Sequence, residues 1–414
     1  MGKLKLHWQV VIAMAIGIIA GLILQHIYNG EPEGSAFALI SSLGTIFIRL
    51  LKMVIVPLIF TSIVSGVSGI SEGKKLGRVG IKTLIYYVTT SFFAVMIGLL
   101  LTNFIKPGVG VSFENAKNFD PSNLNTPGSP LEIIIRMIPL NPFEAAATGD
   151  MLGIIFFAIF LGFVINKLNP EHRDFLRKLF QAFFEAMMKI TSVVILLLPI
   201  GVFGLITKAV ATSGFGVFTA VGKYMLTIAS GLTIHVFITI PIIFYLITRI
   251  NPLKHFKAVS EAMITAFSTS SSNATLPVTI RCVEEKAKVS NEITSFVIPM
   301  GATVNMDGTA LYECAGVIFI AQVLGIDLSL TQQFVIVLTA LLASIGAAGI
   351  PSAGLVMIFI VTQAVGFNDT DVAMIIGTML AVDRPLDMFR TVVNVTSDSF
   401  GAAIIAKTEG EELY

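Results

Sequence analysis

Charge is what this sequence has least of. Only 13% of its 414 residues are Asp, Glu, Lys or Arg, where a soluble domain carries roughly 25%. With 55% of residues hydrophobic and a mean hydropathy of +0.86, no soluble fold of this size has interior enough to hide the apolar surface. That places the chain in a lipid bilayer. Cysteine is nearly absent as well. Cys282 and Cys314 stand in no CxxC spacing, which excludes a thiolate metal site and a disulfide framework and leaves both as small buried hydrophobes. A net charge of +1 leaves no bulk field to attract nucleic acid.

What is present is a series of apolar stretches near residues 8–28, 36–70, 80–106, 131–168, 180–210, 216–249, 291–324, 330–366 and 371–407. A crossing needs about 20 residues. The first stretch follows Lys3 and Lys5 as a signal peptide would, but it has no small-x-small cleavage site and further spans follow, so it reads as the first membrane helix. Basic residues cluster at Lys3/Lys5, at Lys74/Lys75/Arg78, at Lys167/Arg173/Arg177/Lys178, at Arg249/Lys254/Lys257 and at Arg281/Lys286/Lys288. The positive-inside rule makes these five clusters cytoplasmic. The last two then lie on one side, so 258–280 between them enters and leaves by the same face. Likewise 332–364, whose flanks lack basic residues, enters from outside. The expected fold is all-α: eight transmembrane helices plus two re-entrant helical hairpins of opposite entry, with both termini cytoplasmic. Interrupted segments in matching positions are the mark of an inverted repeat and point at a binding site. The long polar stretch 107–129 reads as an extracellular connection.

The last stretch carries Asp383, Asp387, Arg390, Asn394 and Asp398 within a helical arc of roughly 80°, with Thr391 at its edge. Ionisable groups at membrane depth cost about 2.5–3.5 kcal/mol each, and simple helix–helix glue needs one or two Ser, Thr or Asn, so this stripe is functional. A second cluster, Asn305-Met306-Asp307-Gly308-Thr309, lies in the middle of 291–324. It predicts a local unwinding whose carbonyls and carboxylate suit a hard cation. Two further clusters sit at the hairpin tips: Ser270-Ser271-Ser272-Asn273, and the small-residue run Ala343 to Pro351, where freed N–H groups suit a carboxylate. Four aspartates against Arg390 leave the region formally at −3 when Arg384 and Glu313 are set aside. Cations must therefore enter with the substrate. The guanidinium offers bidentate capture of a carboxylate and an aspartate can pair an amine, so the expected ligand is an acidic amino acid with accompanying cations.

The strings STSSSNATLPVT, GATVNMDGTALY, ASIGAAGIPSAG and LDMFRTVVNVTSD, with RLLKMVIVPLIF from Arg49 to Phe60, resemble the signature segments of the glutamate/aspartate transporter family, the dicarboxylate/amino acid:cation symporters. The resemblance covers nearly the whole chain. It implies a homotrimer in which a scaffold, about 1–75 and 130–215, holds a transport domain, 76–129 and 216–414, that moves like an elevator. The transport domain would carry hairpins near 255–282 and 330–366. It implies that Arg390 binds a substrate side-chain carboxylate, braced by Asp383, and that Asp387 binds the amino group. Asn394, Ser272 and the backbone at Ser271 would hold the α-carboxylate, and Thr309 and Thr391 would complete the pocket. Ile350 to Gly354 would form the outer gate. For Na⁺ it implies three sites. Asp398 would act with carbonyls of Gly301, Asn305 and Asn394. Carbonyls of Thr303, Ser344, Ile345 and Ala347 would act beside Met306. Tyr87, Thr90, Ser91, Asn305 and Asp307 would form the third. Glu313 matches the glutamate that animal members use for proton coupling; its alternative role is a carboxylate neutralised by Arg384 or another neighbour.

Ser270 stands where several archaeal members have arginine, and Arg384-Pro385 beside the pocket has no counterpart in the reading. The absence of a large glycosylated insertion fits a prokaryotic plasma membrane. A neutral amino-acid carrier would replace Arg390, and a proton-coupled C4-dicarboxylate carrier would not need Asp387. An intramembrane aspartyl protease would want a GxGD setting that NMDG does not supply. The expectation is a symporter, not an enzyme, carrying L-aspartate or L-glutamate with Na⁺ and with H⁺ as a second candidate ion.

Overall fold

The structure is a computed structural model that describes residues 6–28, 34–68, 74–110, 135, 138–148, 150–213, 217–345, 353–367 and 369–414. Every regular element among the described residues is helical, as a lipid solvent requires when backbone groups must pair within the chain. Leu6–Tyr28 and Ser35–Ser68 both pack on Leu198–Ser213, and Ser35–Ser68 also packs on Met151–Ile165 and Pro170–Leu196. The remaining helices gather round Asp369–Thr408, which touches Lys74–Ile105, Val217–Ile234, Pro252–Thr269, Asn291–Val304 and Asp307–Val323.

Among the described residues two helices are long and apolar enough to cross a membrane, Arg78–Ile105 and Thr219–Thr248, and the bent pair Pro170–Val194 and Leu198–Thr212, at 53°, would make a third. Two further stretches miss that standard for reasons tied to chemistry. Asp369–Thr408 spans 40 residues but carries the charged stripe. The 291–324 stretch is split in two by its own sequence. Asn291–Val304 ends at Asn305 (φ −94°, ψ 84°) and Met306 (φ −111°, ψ 54°), and a new helix runs Asp307–Val323. The unwinding expected at NMDG is there. The 131–168 stretch, by contrast, is not one helix: among the described residues it contains Pro142–Thr148 and Met151–Ile165.

Each segment expected as a hairpin contains a pair of packed helices among the described residues. Pro252 opens the first, and Asn251 Oδ1 accepts the Leu253 N–H at 2.9 Å, a proline start and an asparagine cap together. Pro252–Thr269 ends on Ser270 in the left-handed region (φ 51°), and Ser271, extended, caps Ser272–Arg281 by accepting the Ala274 N–H at 3.3 Å. Consecutive serines thus close one helix and open the next. In the second hairpin Ser329 and Gln332 cap each other: the Ser329 N–H donates to Gln332 Oε1 at 2.8 Å and the Gln332 N–H to Ser329 Oγ at 3.2 Å. Leu330–Ile345 then packs on Ala353–Ala364. Its tip, 346–352, lies outside the described residues, and so do Ala347, Ile350 and most of the 107–129 connection.

Val217–Ile234 continues into Ile240–Thr248 through one π turn, His235–Thr239. Pro241 supplies no N–H and crowds the preceding turn, which accounts for the widened turn. At the far end of the last helix, Glu409 is held by Arg78 and by Lys82, the latter at 2.6 Å, although Arg78 is 63% exposed. Those hydrogen bonds and charges depress the Glu409 carboxyl to about 2. A depressed carboxylate keeps its contact as pH falls until its folded value is reached, so this tie between Lys74–Ile105 and the last helix survives to about pH 2.

An apolar cavity of about 420 Å³ opens between Ser35–Ser68, Met151–Ile165 and the second group of helices, lined by Phe156, Phe160, Met300, Thr303, Leu342 and Ile345 among others. Among the described residues it has no charged lining group, so it does not suit the carboxylates of an organic anion. The candidate site lies in the buried polar residues along the last helix.

Candidate functional site

Arg390 is 1% exposed. Its Nη2 donates to Asp387 Oδ1 at 2.9 Å and to Asp383 Oδ1 at 3.3 Å, and its Cζ lies 3.9 Å from the centre of the Tyr312 ring. The Tyr312 hydroxyl donates to Asp383 Oδ1 at 3.0 Å. Asp383, Asp387 and Arg390 meet because i, i+3, i+4 and i+7 share a helix face. Arg384, just off that face, reaches Asp387 Oδ2 with Nη1 at 3.4 Å. It pairs with Asp387 and not with Glu313. The charges at this end therefore balance, two carboxylates against two guanidiniums. Nε and Nη1 of Arg390 have no partner among the described residues. Leaving donors on a buried cation unpaired costs about 1–3 kcal/mol or more, and these donors suit a carboxylate. Gly354 sits directly on Nη1, with which any Cβ there would collide.

Asn394 joins this end to the next. Its Oδ1 accepts the Gly308 N–H at 2.8 Å, and its Nδ2 donates to Thr309 Oγ1 at 3.3 Å and approaches Met306 Sδ at 3.2 Å. Thr391 Oγ1 is bonded to the Asp387 carbonyl at 2.8 Å. Ser272 is buried at the opening of Ser272–Arg281, a helix that packs on the last one, and the Ser270 hydroxyl is buried without a partner among the described residues.

The other end of the stripe has the opposite character. Asp307, wholly buried, accepts from Ser91 Oγ at 2.6 Å, Thr90 Oγ1 at 3.3 Å, Ser397 Oγ at 2.7 Å and His235 Nε2 at 3.0 Å. Asp398 accepts from Asn305 Nδ2 at 2.9 Å. Thr90 also faces Asn305 Oδ1 at 3.4 Å. Gly301 is indispensable here: a Cβ would meet Asp398 Oδ1 at 2.3 Å and the Tyr87 hydroxyl at 2.6 Å. The Tyr87 hydroxyl itself donates to the Val297 carbonyl at 2.7 Å. Among the described residues, every side-chain partner of these two carboxylates other than His235 is neutral. With the Asn305 side chain and the hydroxyls of Thr90, Ser91 and Ser397, the set is oxygen-rich and net negative, which suits a hard monovalent cation. Thr303 and Ile345 come together on the apolar cavity wall, and buried Ser344 bonds the Leu341 carbonyl.

Glu313 is fully buried, and neither carboxylate oxygen has a hydrogen-bond partner among the described residues. Among the described residues no cationic side chain lies within bonding distance of it.

His235, Ser397 and Tyr312 escaped the sequence reading. His235 had a usable signal, since an ionisable residue within a spanning stretch is a functional candidate by default. Ser397 and Tyr312 had none, because ordinary hydroxyls acquire meaning only from what the fold places opposite them.

The profile of the sodium:dicarboxylate symporter family matches residues 6–408. Excitatory amino acid transporter 3 of Mus musculus is 36% identical, covering 99% of this chain and 87% of the mouse protein. The proton/glutamate-aspartate symporter of Escherichia coli K12 is 35% identical over 98% of this chain and 93% of its own length. The proton/sodium-glutamate symport protein of Bacillus caldotenax is 35% identical over 99% and 96%.

Proposed function

This chain belongs to the sodium:dicarboxylate symporter family, and we propose that it carries L-aspartate or L-glutamate across the cell membrane together with Na⁺, with Glu313 as the site of a co-transported proton. That it is a membrane transporter and not an enzyme follows from membership. The substrate and ions are our reading. One observation carries the substrate: a buried guanidinium with two unpartnered donors, bonded through Nη2 to the carboxylate of Asp387. A side-chain carboxylate can take the free donors of Arg390 in bidentate fashion, and the ammonium can take Asp387. Asn394, Thr309 and the serines at the first hairpin tip are left to position the α-carboxylate.

Na⁺ is supported by the net-negative oxygen-rich cluster of Asp307, Asp398, Asn305, Thr90, Ser91 and Tyr87 around the broken helix. Met306, Thr303, Ser344, Ile345 and Ala347 are proposed for a further Na⁺ position near the second hairpin. The mouse, Escherichia coli and Bacillus relatives are named for glutamate, aspartate, protons or sodium, which is consistent with this reading. The eight spans with two re-entrant hairpins, cytoplasmic termini, the scaffold and transport domains, the homotrimer and the elevator motion are proposals on the same footing. Gly354 pressed on Arg390 supports the second hairpin as the gate over the substrate.

Competition against radiolabelled L-aspartate uptake tests the substrate. L-Glutamate or unlabelled L-aspartate should compete strongly and L-alanine should not. Equal competition by L-alanine would defeat the assignment of Arg390.

A further inference from the structure

Arg384 is the one charged residue of the cluster that the substrate reading leaves without a task. Its guanidinium faces Asp387 Oδ2 at 3.4 Å, while Arg390 holds the other oxygen, Oδ1, at 2.9 Å. Its side chain is 29% exposed, against 2% for Arg390, and its Nε has no partner among the described residues. A long, single-pronged, half-exposed contact is the weak kind of ion pair, easily exchanged for another. The short, buried one is not.

We propose that Arg384 sets how strongly the site demands an amino group on its substrate. The inference rests on the assignment of Asp387 as the partner of the substrate amine. An arriving ammonium must compete with Arg384 for Asp387 Oδ2 and is repelled by it. A dicarboxylate of the same length that lacks the amine meets no such competition, because Arg384 already neutralises Asp387. The two guanidiniums and two aspartates balance without a ligand, so the site carries no standing excess of negative charge to repel an amine-free dianion. Without Arg384, Asp387 Oδ2 would lose its guanidinium, and the amine could take that place.

The test measures inhibition constants of succinate and of unlabelled L-aspartate against labelled L-aspartate in proteoliposomes, for the wild type, Arg384→Gln, Arg384→Met and Arg384→Lys. The ratio of the two constants does not depend on how much protein folds. Both neutral variants should raise the succinate-to-aspartate ratio about tenfold, the scale of one charge–charge contact in a partly wetted site. Arg384→Lys, which keeps the charge, should hold the ratio within about twofold of wild type. An unchanged ratio in both neutral variants would overturn the inference, as would an equal rise in Arg384→Lys, which would trace the effect to packing. Saturable L-aspartate uptake by the wild type keeps the underlying reading intact in either case. Its absence would defeat that reading and this one together.

Discussion

The two ends of the polar stripe on the last helix are built from the same residue types to opposite effect. Around Arg390, each carboxylate meets a guanidinium, and the formal charge closes at zero. Around Asp307 and Asp398, two buried carboxylates meet hydroxyls, an amide and one imidazole, with no lysine or arginine among the described residues close enough to pair. The first end is suited to a solute that brings its own balanced set of charges. The second, on the proposed function, takes a cation. Asn394 of the last helix bridges the two, its side chain bonding Gly308 and Thr309 at the start of the helix that carries Asp307, and on the proposed function this is where substrate and cation would be coupled.

Unbalancing the first end should have the largest effect. Arg390→Cys leaves Asp383 and Asp387 buried without the guanidinium that bonds both, a loss on the scale of 3–5 kcal/mol for breaking a buried pair. Labelled L-aspartate uptake should fall at least about 100-fold; undiminished uptake would erase the distinction between the two ends. Asp307→Asn should next weaken Na⁺ while sparing the Arg390 end. The Na⁺ concentration for half-maximal L-aspartate binding should rise about tenfold or more, and a shift in substrate affinity at saturating Na⁺ would show that the ends are not separable.

Glu313 belongs to neither balance, being buried with no hydrogen-bond partner among the described residues. Glu313→Gln should flatten the pH dependence of transport and leave L-aspartate binding within about twofold, since a neutral amide replaces a group with no bonds to lose. An unaltered pH profile would make Glu313 a structural residue. The smallest effect should come from His235→Ala. Asp307 keeps its three hydroxyl donors, so the loss is one hydrogen bond, about 0.5–1.5 kcal/mol, read as a several-fold rise in half-maximal Na⁺.

Much of this contrast was legible in the sequence. The stripe of Asp383, Asp387, Arg390, Asn394 and Asp398 follows from helical spacing, and the break at Asn305-Met306 from an Asn-Met-Asp-Gly run in a membrane stretch. Serines and prolines mark the first hairpin because capping is local. The charge balance was not legible. The count of −3 set Arg384 aside, and only its side-chain direction, which spacing does not give, brings it onto Asp387 and lowers the total to −2, again with Glu313 apart. His235 was hidden for a similar reason. It lies some seventy positions before Asp307, and only the π turn and the packing of two distant helices bring it to 3.0 Å.

The measurement that bears most directly on the account is L-aspartate uptake into proteoliposomes with Na⁺, H⁺ and K⁺ gradients imposed one at a time. An inward Na⁺ gradient should drive accumulation, and replacing Na⁺ by choline should abolish it. Accumulation driven by a proton gradient alone, with choline in place of Na⁺, would contradict the assignment of the Asp307–Asp398 end as a Na⁺ site.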